Sequence, residues 1–131
     1  MKWLCDTNVV SELFKRTPNN LVLDWLAQHD SIFLSVVTVE EIYCGLSHKN
    51  ANRKMEWFDK FLQLRCQVLP VTNNIAKQCG VLRGHFLQSG ISRTQADLFI
   101  AATAIVHNLT LATRNVRDFE NCGIPILNPF A

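Results

Sequence analysis

The stretch LCDTNVVSEL, residues 4–13, decides how the rest of the chain reads. The apolar run from Lys2 to Cys5 has the length and character of a strand, and it stops at a lone acid, Asp6. Thr7 and Asn8 then open a helical pattern that runs from about Asn8 to Phe14. An acid therefore stands where a strand hands over to a helix. Working outward, apolar runs of strand length alternate with segments of helical period, which predicts βα units around a mostly parallel sheet.

The remaining elements follow from the same two periods. After Thr17-Pro18-Asn19-Asn20 a helix is expected over residues 21–29, then a second strand over 32–36 and a helix that starts after Thr38. SHKNANRK (47–54) reads as a polar break before MEWFDKFLQL, whose apolar residues recur at helical spacing, so these two helices form a projecting hairpin. A third strand is expected at 67–71, helices at 73–89 and 93–107, and a fourth strand, LTLAT, at 109–113. The small residues of IAATA in the last of these helices permit close packing. IPILN (124–128) is a short fifth strand, placed at an edge because Pro125 lacks a ladder donor.

At 131 residues, 48% of them hydrophobic and 18% charged, the chain fits one domain spanning residues 1–131. A chain of this length removes roughly 65% of its unfolded surface from water, enough for a real core. No apolar stretch reaches the roughly 18 residues a membrane helix needs, and Asp6 interrupts the N-terminus before a signal-peptide core could form. A soluble, cytoplasmic protein with no membrane partner is expected. The five cysteines are odd in number and include no C-x-x-C, so neither a disulfide framework nor a thiolate zinc site is suggested. His29, His48, His85 and His107 have no ligand spacing and read as surface or capping residues.

Three further acids repeat the placement of Asp6. In SVVTVEEIYCG, Thr38 is the expected N-cap and Glu41 lies three residues on, in the first turn. In TQADLFIAATA, Asp97 lies three residues after Thr94. In LATRNVRDF, Asn115 stands at a cap position and Asp118 three residues later. Taken singly, each acid fits the capping-box pattern, since carboxylates favour the positive end of a helix. Glu12, Glu40 and Glu56 read as solvated helix faces.

Taken together the acids say more. In an open parallel sheet the carboxyl ends of the strands lie along one edge, and ligands bind in the crevice outside it. A cap contributes about 1 kcal/mol, whereas two carboxylates about 6 Å apart repel by roughly 3 kcal/mol at an effective dielectric near 20. Converging acids thus cost more than capping returns unless a cation reverses the sign. Hard oxygen ligands without His or Cys suit Mg²⁺, or Mn²⁺, better than zinc. Such an ion serves phosphodiester hydrolysis.

Formal charge is +2, but with the four acids neutralised seven remain against thirteen cations, a balance of +6 that suits a polyanion. Arg93, Arg114 and Arg117 flank the acids and are candidate RNA-binding residues, with Lys49, Arg53 and Lys54 as a second basic group. Solvated surface cations are the alternative reading of both groups.

With LCDTNVVSEL, SVVTVEEIYCGL, ADLFIAATAIVHNLTLATRNVRDF and ILNPF in this order, the chain resembles end to end the PIN-domain ribonucleases, and within them the VapC-type toxins of toxin–antitoxin pairs. The resemblance implies a three-layer α/β/α domain with a central, mostly parallel five-stranded sheet, cleaving RNA with Mg²⁺ or Mn²⁺. It implies that Asp6 and Asp97 are the principal metal ligands, that Glu41 completes the acidic pocket, and that Thr7 hydrogen-bonds within the site. Some relatives carry Asp directly after the T-R pair where this chain has Asn115. That fourth corner falls either to Asp118 or to Asn115 as a neutral oxygen. The resemblance further implies a homodimer, a higher toxin–antitoxin assembly, and a cognate antitoxin whose C-terminal segment covers the acids. Trp57, Phe58 and Phe61 either line that partner's groove or are buried in the chain's own core.

Two rival readings stay open at this level. A haloacid-dehalogenase-type phosphatase also begins with a strand ending in Asp, but it normally carries a second Asp two residues on, where this chain has Asn8. The other is a non-catalytic binding module whose acids merely cap helices.

Overall fold

The computed structural model describes residues 2–131. Five strands, β1 (Trp3–Cys5), β2 (Ile32–Ser35), β3 (Cys66–Leu69), β4 (Thr110–Ala112) and β5 (Ile126–Leu127), form one sheet in the order β3-β2-β1-β4-β5. Every neighbouring pair is parallel, so the sheet is parallel throughout. The helices are α1 (Thr7–Ser11), α2 (Asn20–Ala27), α3 (Val36–His48), α4 (Asn52–Arg65), α5 (Asn73–Gln88) and α6 (Gln95–His107), with 3₁₀ turns at Glu12–Phe14 and Val116–Phe119.

The period of two along each strand builds the layers. Leu4 and Leu111 point into a core shared with Ile75, Cys79, Leu82 and Phe86 of α5 and with α6. Their neighbours Cys5 and Ala112 point the other way, into a core with Val9, Val10, Val22, Ile42 and Phe58 from α1 to α4. The result is the three-layer α/β/α arrangement. In α6 the small residues Ala101, Ala102, Thr103 and Ala104 are all buried, as close helix packing requires. β5 lies at an edge, as Pro125 demands.

The chain runs from β1 outward to β3 and then returns to the other side of β1. This reversal of direction lies between β1 and β4, and it opens a crevice at their carboxyl ends.

Several boundaries differ from the sequence reading by one or two residues, and two differences shape the site and the hairpin beside it. α3 starts at Val36 rather than after Thr38, because the Ser35 hydroxyl accepts from Val37 N at 3.1 Å and turns β2 directly into the helix. The β-branched run Val36-Val37-Thr38 has strand propensity, but the cap outweighs it. Nor is residues 47–54 a long break. α3 continues to His48 and α4 begins at Asn52, with Asn50 in the left-handed region (φ 53°) supplying the turn. The polar residues there are exposed helix faces.

Candidate active site

Asp6 is fixed where β1 ends. Its backbone N–H donates to Ala112 O on the neighbouring strand (2.9 Å), and its Oδ1 accepts from Thr7 N (2.8 Å), which makes it the N-cap of α1. Oδ2 accepts from the Thr113 hydroxyl (2.8 Å) and from Asn8 Nδ2 (3.1 Å). Thr113 follows β4 and also accepts from Asn115 N, while Asn8 Oδ1 accepts from Arg114 N. The ends of β1 and β4 are thereby laced together through one carboxylate that is only 4% exposed.

The second wall comes from α3. The Thr7 hydroxyl donates to Glu41 Oε1 at 2.7 Å and lies 3.2 Å from the hydroxyl of Thr38. Thr38 is therefore not a cap but a fully buried residue inside α3. Because the helix starts three residues earlier than its sequence suggests, Glu41 sits in the second turn, where it cannot serve the helix end. The third wall is the start of α6. Thr94 caps it, with Asp97 N donating to Thr94 Oγ1 (3.2 Å), so the Asp97 carboxylate is left for the crevice.

Electrostatics show that these acids share one space. Burial pushes the Asp6 carboxyl up to about 6; the bonds from Thr113 and Thr7 pull it down, while the charges of Asp97 and Glu41 push it further up. Asp97 is also raised, first by burial and then by the charge of Asp118, against the Thr94 hydroxyl and Arg93. None of the four acids has an ion-pair partner, since Lys15–Glu12 is the one salt bridge among the described residues. Asp97 and Asp118 lie in first turns, where a helix end favours a carboxylate, but Glu41 lies beyond that reach and like charge raises both Asp6 and Asp97, so capping does not account for the set.

Carboxylate oxygens are the donors that a hard divalent cation would take. A carboxylate offers about four lone-pair positions. Asp6 uses three on Thr7, Asn8 and Thr113, and the Asp97 carboxyl is met by the Thr94 hydroxyl, which leaves it positions to spare. Among those residues no three His, Cys, Asp or Glu side chains gather into a ready metal-binding cluster. The opening is thus two carboxylates with free oxygens, flanked by two more.

Asn115 holds the first position before the Val116–Phe119 turn, but its side chain is exposed and makes no capping bond. The charge that reaches Asp97 is that of Asp118, half-buried in the same turn. Arg93 is half-buried, its guanidinium 5.3 Å from the Phe86 ring centroid and its Nη2 donating to Arg117 O. Arg114 lies over Phe130 at 5.2 Å, and Arg117 is exposed. On the α3–α4 hairpin, Phe58 and Phe61 are buried in the chain's own core while Trp57 is 46% exposed.

Two contributors were not read from the sequence as parts of the site, and one acid outside it was misread. Asn8 and Thr113 hold Asp6, and Glu12, expected on a solvated face, is 3% exposed. Burial would raise the Glu12 carboxyl, but the Lys15 ammonium and Asn19 N–H outweigh it and hold it below the usual range. A polar residue closing a buried strand, as Thr113 closes LTLAT, was the available signal for one of them. The two bonds that Asn8 and Thr113 make to Asp6 Oδ2 also oppose a phosphatase nucleophile, which needs an oxygen free to attack.

A sequence model of the family described as PIN domain matches residues 3–124. The VapC ribonuclease Y4jK of Sinorhizobium fredii is 35% identical over 133 residues, covering 95% of each chain. The crystal structure of FitAcB from Neisseria gonorrhoeae contains a chain that superimposes with a TM-score of 0.83 at 30% identity, covering 98% of both chains. VapBC2 from Rickettsia felis, solved bound to a DNA fragment from their promoter, gives a TM-score of 0.83 at 26% identity, again covering 98% of both.

Proposed function

Because the chain belongs to the PIN-domain family, we propose that it is a VapC-type toxin: an endoribonuclease that hydrolyses RNA phosphodiester bonds and is neutralised by a cognate antitoxin. The observation that carries the proposal is the buried Asp6 carboxylate, held by Thr7, Asn8 and Thr113 beside the charges of Asp97 and Glu41, with no ion pair to any of the three among the described residues. We place the work of this protein in the cytoplasm, as a homodimer before its antitoxin joins. No helix among the described residues is long and apolar enough to cross a membrane.

Asp6 and Asp97 would hold Mg²⁺, or Mn²⁺, which would supply charge to polarise the scissile phosphate and stabilise the departing oxyanion. The chain's own residues do the rest. Thr7 fixes one oxygen of Glu41, leaving Oε2 to accept the proton of the attacking water. Asp118, whose charge reaches Asp97, would help hold that water. Water adds to phosphorus, the bond to the 3′ oxygen breaks, and the products are a 5′-phosphate and a 3′-hydroxyl that takes its proton from solvent.

RNA incubated with the purified chain and Mg²⁺ is expected to be cut, and Asp6→Asn and Asp97→Asn to abolish cutting while the far-ultraviolet circular dichroism is retained. Unchanged cleavage by either variant would remove the mechanism. Turnover of a small phosphate monoester in place of RNA would replace it with phosphatase chemistry.

A further inference from the structure

A cavity of about 620 Å³ opens beside the acids, between the α1 segment and the α3–α4 hairpin, and shares Thr7 and Glu41 with them. Its floor is apolar, with Ile42, Leu46 and Ala51, and its rim carries Lys15, Arg16, Lys49 and Lys54. Two of these cations have structural duties. Lys15 pairs with Glu12 at 2.9 Å, and Lys54 Nζ donates to Phe14 O at 3.0 Å. Arg16 and Lys49 are exposed and have no ion-pair partner among the described residues. Beyond the cavity lies a second depression lined by Arg16, Lys54 and Trp57, the indole set edge-on to Phe14 and stacked on Phe61.

We propose that this groove is a track for single-stranded RNA leading into the active site, with Arg16 and Lys49 on its phosphates and Trp57 as a stacking platform for a base. The inference rests on the ribonuclease reading and adds to it the path of the substrate. Cations alternating with an exposed aromatic ring are the chemistry of single-strand binding, whereas a duplex hides its base faces. The charge complementarity argues for a polyanion over a basic peptide, because four cations ring an apolar floor with Glu41 as the one acid among its lining residues. Gly45, on the groove face of α3, has nothing within 4 Å of where a Cβ would stand, so the floor has room for a ligand there.

The test uses the full chain carrying Asp97→Asn, which binds without cutting, and a fluorescent unstructured RNA titrated in Mg²⁺ at several salt concentrations. For single strands each phosphate contact contributes about 0.7 to the slope of log affinity against log salt. Arg16→Gln with Lys49→Gln is therefore expected to lower the slope by about 1.4 and to weaken binding about tenfold at physiological salt. Lys60→Gln with Lys77→Gln, the same loss of charge outside the groove, leaves both unchanged. Gly45→Glu, which replaces a poor helix former in α3 by a good one and puts an acid into the groove, is expected to weaken binding at least as much. An unaltered slope and affinity in the groove variants would overturn the proposal. So would variants that keep RNA affinity but lose the antitoxin, which would give the groove to a protein partner. If RNA binds through the groove and the chain with Asp97 restored cuts nothing, the track stands and the nuclease reading falls.

Discussion

Replacing Asp6 by Asn is expected to stabilise the metal-free fold at pH 8 and to destabilise it at pH 4. The buried carboxyl is pushed from 3.8 to about 6, a difference worth about 3 kcal/mol in linkage. A folded-state value above the unfolded one means that the folded chain binds the proton more tightly. The stability this brings is complete below pH 4 and is lost as pH rises through about 6. At pH 8 the wild-type chain carries the full burden. Asn has no proton to lose, but its amide keeps only one acceptor, for Thr7 N, and sets donors against Asn8 Nδ2 and the Thr113 hydroxyl. These mismatches cost about 1–2 kcal/mol, leaving a net gain at pH 8 of about 1–2 kcal/mol, or about 3–8 °C in Tm for a chain of this size. Thermal melts of both proteins from pH 4 to pH 8 in chelator should therefore cross. Saturating Mg²⁺ should reverse the order at pH 8 by stabilising the wild type alone, about 2.7 kcal/mol at a hundredfold excess over Kd. Parallel curves, or a less stable variant at pH 8, would refute the reasoning, since Asp6 would then not be a strained charge waiting for a cation.

Thr7→Val keeps the side-chain shape and removes the hydroxyl from Glu41, so cleavage should fall about 10–100-fold with little change in melting; activity equal to wild type would free Glu41 from this dependence. Glu12→Gln retains an acceptor for Asn19 N and loses the Lys15 pair, costing about 1 kcal/mol or less at pH 7 because Lys15 is half exposed. Glu12 is held below its usual range, so its contribution is present above the unfolded value of 4.5 and lost on acidification; denaturation curves of variant and wild type should converge below pH 4. At the fourth corner, Asp118→Asn should slow cleavage on the order of tenfold and Asn115→Ala distinctly less. The opposite ranking in initial rates would return that corner to Asn115.

The parallel sheet was legible because its cause is local. Period-two apolar runs alternate with helical ones, and Pro125 marks an edge without reference to anything distant. Asp6, Asp97 and Asp118 were legible for the same reason, each standing at the end of a strand or in the first turn of a helix. Thr94 shows the capping pattern working, since it does cap α6 three residues before Asp97. Ser35 shows where it failed. Within SVVTVEE the sequence reading takes Thr38, with Glu41 three residues on, as the cap, yet the strand stops at Ser35 because Val37 N finds its acceptor there.

What sequence could not reach are the bonds between distant segments, and the site is made of them. Thr113 and Asp6 are 107 residues apart, Thr7 and Glu41 are 34 apart, and nothing within either segment predicts the pairing. The misplaced start of α3 had a chemical consequence for the same reason. In the first turn Glu41 would have been stabilised by the helix end, which makes an inert carboxylate; in the second turn it loses that partner and gains the Thr7 hydroxyl across the crevice. A shift of three residues in a helix boundary thus separates a capping carboxylate from one bonded to the Thr7 hydroxyl. Because Thr7 sits between Asp6, to which its N–H donates, and Glu41, which it orients through its hydroxyl, one residue of the opening motif positions both acids at once.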